Sequence, residues 1–196
     1  MTGKPSLVGN SRFISVETTP LFTPKDCDQL LSLCRSRWKS AGVTGRESGQ
    51  SGSIQPEVRS VLTQPLPIDE DGHPMAALIN AVAAINSEVF RFELTSFPDT
   101  DPPSVLRYES SVADHFHAHR DVGPDYPTRK LSCVVQLSDS NDYRGGSLVF
   151  PEEHFIAPTE QGTAIVFPSF LVHQVTPLVS GERYVLVAWA HGPTFA

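Results

Sequence analysis

From about residue 104 onward the hydrophobic positions come in short runs. These are Val105-Leu106-Arg107-Tyr108, then residues 116–121, 131–137, 147–150, 164–167, 171–175 and 184–189. Clusters of turn residues such as Asp139-Ser140-Asn141-Asp142, Arg144-Gly145-Gly146 and Ser180-Gly181 separate them, and that punctuation is how strands are bounded. Many short strands at close spacing predict a β-sandwich or barrel. Upstream the period lengthens to that of a helix. Thr23 suits an N-cap, Pro24 the first helical position and Asp26 the positive end of the dipole, after which Cys27, Leu30, Leu31, Cys34 and Trp38 recur at helical spacing. A second helix should begin near Pro74 and carry Leu78, Ile79, Val82, Ile85, Val89 and Phe90 on one stripe. Both helices read as cover for a sheet.

Between the helices, residues 41–56 are rich in Gly, Ser, Gln and Thr and nearly free of large apolar groups. Such a segment cannot offset the entropy of its own ordering by burial, which predicts a mobile loop, either a solvated connection or a lid. A strand-like pair, Val61-Leu62, follows it. The 196 residues suit a single domain, 1–196, with a helical support layer and the loop over about 11–100 and a β core over 104–190.

A formal charge of -7 leaves no basic field for phosphate backbones, so nucleic acid is not an expected partner. Three cysteines, Cys27, Cys34 and Cys133, lack CxxC spacing and an even count, which predicts reduced thiols in a cytoplasmic protein. No apolar window reaches the length of a membrane span and residues 1–10 lack a signal-peptide core, so a soluble protein with no membrane partner is expected.

The chemistry concentrates in His119-Arg120-Asp121 and in His173, some fifty residues on. Two imidazoles and one carboxylate are the ligand set of the facial triad that holds non-haem Fe(II) and leaves coordination positions open. In a strand, residues two apart share a face about 6.6 Å apart, so His119 and Asp121 can turn to one metal while Arg120 faces away. A lone His-x-Asp can equally be a hydrogen-bonded surface strand. By the same parity His115, His117 and His119 share a face, which makes His117 a rival ligand; His119 is preferred because it alone has a carboxylate two residues on. His73, His154 and His191 lie in loop-like surroundings. Ten residues past His173 stands Arg183, opening the apolar run that ends at Trp189. Its guanidinium would need an anion if it pointed inward. Arg183, Val187 and Trp189 share one strand face, as do Ser132, Val134 and Gln136 on another strand, opposite Leu131, Cys133, Val135 and Leu137.

Taken together, Tyr108, His119-Arg120-Asp121, Arg129-Lys130-Leu131-Ser132, Tyr143-Arg144-Gly145-Gly146-Ser147-Leu148, His173-Gln174-Val175-Thr176-Pro177 and Gly181-Glu182-Arg183-Tyr184 followed by Trp189 resemble the prolyl 4-hydroxylase-like branch of the Fe(II)/2-oxoglutarate dioxygenases. The resemblance implies a double-stranded β-helix, a jelly-roll or cupin-like barrel, mainly β with α, whose N-terminal helices pack on the larger sheet. It also implies Fe(II) on His119, Asp121 and His173, and 2-oxoglutarate paired through its distal carboxylate with Arg183. O2 would be the oxidant and ascorbate a support. Tyr108 takes the place of a tyrosine that reaches the chelating end of the cosubstrate, at a slightly longer interval than usual. Gln136 stands where relatives often place a tyrosine for the distal carboxylate, and Trp189 faces the same site.

The implied reaction is hydroxylation of an amino-acid, peptidyl (prolyl included) or natural-product C–H bond, with release of succinate and carbon dioxide. The carboxylate of Asp121, which related halogenases lack, points to hydroxylation. The implied partner is a small-molecule or peptidyl substrate. In the same family the loop at residues 41–56 folds over bound substrate. Two other classes stay open on the residues alone: a cupin-like metalloenzyme without 2-oxoglutarate, and a non-catalytic β-sandwich binding module.

Overall fold

The computed structural model describes residues 15–34, 38–42, 54–66 and 75–195. These segments contain thirteen strands and two α-helices, with a short 3-10 turn over Ser110–Val112. The strands are β1 (Glu17–Pro20), β2 (Lys39–Ser40), β3 (Arg59–Ser60), β4 (Leu62–Pro65), β5 (Ser104–Glu109), β6 (His115–His119) and β7 (Arg129–Gln136). They continue with β8 (Tyr143–Gly145), β9 (Leu148–Phe150), β10 (Phe155–Ile156), β11 (Thr163–Pro168), β12 (His173–Val175) and β13 (Leu178–His191). The helices are α1 (Pro24–Leu33) and α2 (Met75–Ile85), the second continued by a π-helical turn over Asn86–Phe90.

The strands form two antiparallel sheets. The larger runs β1-β11-β7-β13-β5-β4-β2, with β8 also paired to β13, and the smaller runs β10-β9-β12-β6-β3. They face one another as a jelly roll that does not close into a barrel, so the expected architecture is present as an open sandwich.

Alternation along β7 and β13 divides the core in two. Leu131, Cys133 and Val135 on β7, with Leu186, Ala188 and Ala190 on β13, turn outward to meet Cys27 and Leu30 of α1 and Leu78 and Val82 of α2. The opposite residues of β13, Val185 and Val187, turn between the sheets to meet Leu148, Phe150 and Val175. Each large apolar side chain taken out of water contributes about 1.5–3 kcal/mol. The space between the sheets is therefore bounded by a rigid apolar frame.

Helix α1 starts as its cap residues dictate. Thr23 accepts from the Asp26 backbone, Asp26 bonds back to the Thr23 backbone at 2.8 Å, and Pro24 occupies the first turn. The helix stops at Leu33, so Trp38 is not on it. Trp38 instead packs by its ring on Tyr184, centroids 6.0 Å apart. Strand β1 was not predicted, because Glu17-Thr18-Thr19-Pro20 is polar and ends in proline. It is held by pairing to β11 at the sheet edge, where a missing N–H is tolerated.

Residues 43–53, at the heart of the expected lid, and 67–74, with the expected start of the second helix, lie outside the described residues. Among the described residues no helix is long and apolar enough to cross a membrane. Cys27, Cys34 and Cys133 are all free, and burial pushes the Cys27 and Cys34 thiols up to about 11. They sit as small apolar groups.

Candidate metal centre

Strand β6 carries one more residue than its partner. His173 on β12 faces His119, while Val175 faces Phe116, so three steps on β6 oppose two on β12. This β-bulge resets the alternation. Phe116 and His119 both turn inward, ring centroids 3.4 Å apart. His115 and His117 pair with each other at 4.8 Å, and His117 is exposed. Simple parity had put all three histidines on one face; the bulge separates His119 from His117.

Asp121 is not in the strand. The strand ends at His119 and Asp121 sits in the bend beyond it, where its N–H donates to the Ser169 carbonyl at 2.9 Å. The Ser132 hydroxyl donates to its carboxylate at 2.6 Å and lies 3.0 Å from the Ser169 hydroxyl. Its two oxygens are 3.5 Å from Nε2 of His119 and Nε2 of His173. The three candidate donor atoms lie within 4.8 Å of one another. Each imidazole is oriented alike, Nδ1 of His119 donating to the His117 carbonyl at 2.7 Å and Nδ1 of His173 to the Leu171 carbonyl at 3.0 Å. A carbonyl only accepts, so Nδ1 carries a hydrogen in both rings and Nε2 is the atom left to face Asp121 and a metal.

Burial opposes charge on Asp121, but His173, His119 and Arg129 outweigh it and hold the carboxyl well below the usual range. Burial pushes His173 down to about 4 from 6.5. Because this folded value lies below the unfolded one, an unfolded chain takes up a proton over that interval that the folded chain refuses. The site therefore costs the metal-free protein stability as pH falls from 6.5 toward 4. His173 should remain a neutral donor at pH 6. Its ring Cε1–H resonance in metal-free protein should stay flat between about pH 7 and about pH 5; a midpoint near the ordinary histidine value would refute this account of its burial.

The group opens into a cavity of about 430 Å³ between the sheets, which Tyr108, Arg183, Val187 and Trp189 also line. Arg183 is 1% exposed. Its Nη2 donates to the Gln136 side-chain oxygen at 3.0 Å, while Nε and Nη1 are buried without a partner among the described residues. Gln136 is thereby engaged on both sides, since its amide nitrogen donates to the Pro158 carbonyl at 2.8 Å. It braces the guanidinium from behind and is not among the residues lining the cavity. Gly146, at φ +61°, lets Arg183 lie where it does, because a Cβ there would come within 3.2 Å of the Arg183 Cδ. Tyr108 is fully buried, its ring 5.4 Å from the guanidinium carbon.

One further network was not foreseen. Asp101 accepts from Arg129 twice, both at 2.7 Å, and lies 3.0 Å from Nε2 of His191, whose Nδ1 meets Thr128 at 2.9 Å. The Arg129 guanidinium lies between two rings, 3.7 Å from Tyr126 and 3.6 Å from Trp189. Trp189 thus covers a cation at the cavity wall, and His191, expected in a loop, is the buried last residue of β13. Nothing in the local sequence pairs Asp101 with residues 28 and 90 positions away.

The chain is similar to known proteins over this same region. Residues 103–191 match the 2OG-Fe(II) oxygenase superfamily. A PKHD-type hydroxylase of Nitrosomonas eutropha is 32% identical over 161 residues, covering 77% of this chain and 66% of the relative. A PKHD-type hydroxylase of Synechococcus sp. strain CC9605 is 41% identical over 92 residues, covering 44% and 40%. The chain thus spans no more than about two thirds of these curated relatives. In fold it is similar to a Pseudomonas putida prolyl-4-hydroxylase, with TM-score 0.70, 21% identity and 90% and 92% of the two chains covered. It is likewise similar to a viral collagen prolyl hydroxylase of Paramecium Bursaria Chlorella virus-1, with TM-score 0.63, 17% identity and 91% and 96% covered.

Proposed function

Because the chain belongs to the 2OG-Fe(II) oxygenase superfamily, we propose that it is an Fe(II)- and 2-oxoglutarate-dependent dioxygenase that hydroxylates an amino-acid or peptidyl C–H bond, prolyl included. The observation that carries this reading is one cavity holding both the His119, Asp121 and His173 group and a buried guanidinium with two unpartnered N–H groups. The donor set suits Fe(II): two imidazoles and a carboxylate, all already oriented. Arg183 suits a dicarboxylic cosubstrate, since a buried cation without an anion is costly and no carboxylate among the described residues pairs with it. A cupin-like enzyme without 2-oxoglutarate has no use for that charge.

In this reading His119, His173 and Asp121 hold the iron, and Arg183, braced by Gln136, holds the distal carboxylate of 2-oxoglutarate. When bound, iron, 2-oxoglutarate and O2 supply the oxidation, in which 2-oxoglutarate leaves as succinate and carbon dioxide and one oxygen atom enters the substrate. The chain's own part is placement. Ser132 fixes the Asp121 carboxylate, and the carbonyls of His117 and Leu171 fix the two rings. Leu106, Val185 and Val187 keep water from the reacting centre. Tyr108 lines the same cavity with its ring 5.4 Å from the Arg183 guanidinium carbon, and so limits how the cosubstrate can lie. Trp189 and the Arg129 guanidinium it covers form part of the cavity wall.

The test supplies Fe(II), 2-oxoglutarate, ascorbate and O2 together with a panel of free amino acids and of prolyl and other peptides. Succinate release should rise with one substrate class, and that substrate should gain the mass of one oxygen atom. A protein that binds iron but releases no succinate under any of these conditions would return the cupin-like reading to the front.

A further inference from the structure

The cavity lining carries four guanidinium groups, those of Arg59, Arg120, Arg129 and Arg183, against two carboxylates, those of Asp101 and Asp121. Asp101 is taken by Arg129 in a two-pronged bond. In the function proposed above, on which this inference rests, Asp121 goes to the metal and Arg183 to the cosubstrate. Arg120 is exposed and donates to the Phe170 carbonyl at 2.9 Å. Arg59 is different. Its Nη1 donates to the Gly42 carbonyl at 2.9 Å, and among the described residues its Nε, which is buried, has no hydrogen-bond partner and no carboxylate forms an ion pair with it. Burial also lowers its basicity, the sign of a cation in want of an anion.

Position gives this guanidinium a meaning. The Arg59 guanidinium carbon lies 4.6 Å over the Phe116 ring, and that ring stacks on His119 at 3.4 Å. Pairing of β3 with β6, Arg59 opposite Phe116, holds it there. A single aromatic ring therefore separates this cation from a candidate iron ligand.

We infer that Arg59 is a substrate-binding residue that receives a carboxylate of the substrate through the Nε side of its guanidinium. The side-on fork of Nε–H and Nη–H matches the two oxygens of a carboxylate. Nη1, already committed to Gly42, fixes which side is offered. The substrate is then an acid, either through a free main-chain carboxylate or through an acidic side chain, with its reacting C–H a few bonds from the carboxylate. A chain of net charge -7 that gathers four guanidinium groups against two carboxylates in this cavity would draw such a ligand inward.

The experiment loads the full chain with Mn(II) and saturating 2-oxoglutarate under nitrogen, so that Arg183 is occupied and no turnover occurs. Benzoate and benzamide are then added separately, and paramagnetic relaxation of their ring protons is read by NMR. Benzoate should be relaxed and benzamide roughly tenfold less, and Arg59→Gln should remove the benzoate effect while 2-oxoglutarate still binds. Arg59→Lys, which keeps the charge and loses the fork, should weaken benzoate less than Arg59→Gln and guards against a folding defect. Free and amidated forms of whichever amino acid or peptide supports turnover then tell a main-chain carboxylate from a side-chain one. Equal relaxation by benzoate and benzamide, no relaxation by either, or benzoate unaffected in Arg59→Gln would overturn the inference. If Mn(II) or 2-oxoglutarate fails to bind the wild type, the function proposed above fails first, and that outcome is read separately.

Discussion

His119→Ala should lose iron-dependent turnover and weaken Mn(II) by more than about a hundredfold, while His117→Ala should keep both nearly unchanged. Loss of an orienting partner alone commonly costs about 10–100-fold in metal affinity, so loss of a ligand should exceed it. The contrast between the two histidines rests on the bulge opposite β12. It turns the ring of His119 toward Asp121, with Nε2 3.5 Å from the carboxylate, and turns His117 to the exposed face beside His115. Calorimetry with Mn(II) on both variants, with circular dichroism to establish that they are folded, reads the result. Normal metal binding by His119→Ala together with loss in His117→Ala would assign the ligand to His117 instead.

Arg183→Gln should weaken 2-oxoglutarate by roughly ten- to a hundredfold or more, with metal binding little changed. A charge-assisted, two-pronged bond is worth a few kcal/mol, and each 1.4 kcal/mol is a factor of ten. The effect should be large because Arg183 is 1% exposed and two of its nitrogens have no partner among the described residues. The substituted glutamine cannot restore the charge. Pyruvate keeps the keto acid but lacks the distal carboxylate, and it should be a poor cosubstrate for the wild type. Equal use of pyruvate and 2-oxoglutarate, or unchanged 2-oxoglutarate affinity in Arg183→Gln, would make this arginine a structural cation.

Arg183 and Gln136 also illustrate where sequence reading stops. Parity along β13 puts Arg183 on the face of Val185 and Val187, and parity along β7 puts Gln136 on the face of Ser132 and Val134; the structure has both arrangements. Whether Gln136 would reach toward the cavity or elsewhere was not readable, because that depends on how β7 and β13 are aligned. The observed register sets Gln136 opposite Val185, close enough to Arg183 for its amide oxygen to accept a bond from the guanidinium. Arg59 was silent for the same reason. In sequence it is one charge in a polar stretch; pairing with Phe116 makes it part of the cavity.

What the amino-acid sequence determined by itself is what local spacing controls. That covers the helical and strand periods, the capped start at Thr23, the inward and outward faces of β7 and β13, and the supply of imidazole, carboxylate and guanidinium groups in an order matching a known family. What only the tertiary structure decided is everything that needs two distant segments to meet. The bulge that separates His119 from His117 exists only against β12. Asp121 turns inward from a bend because Ser169 and Ser132 hold it there. The Arg129, Asp101 and His191 network joins three parts of the chain, and β1 is a strand only because β11 offers it an edge. Side-chain direction within an element follows from backbone geometry over a few residues, whereas register between elements follows from the packing energy of the whole fold, which no short stretch of sequence contains.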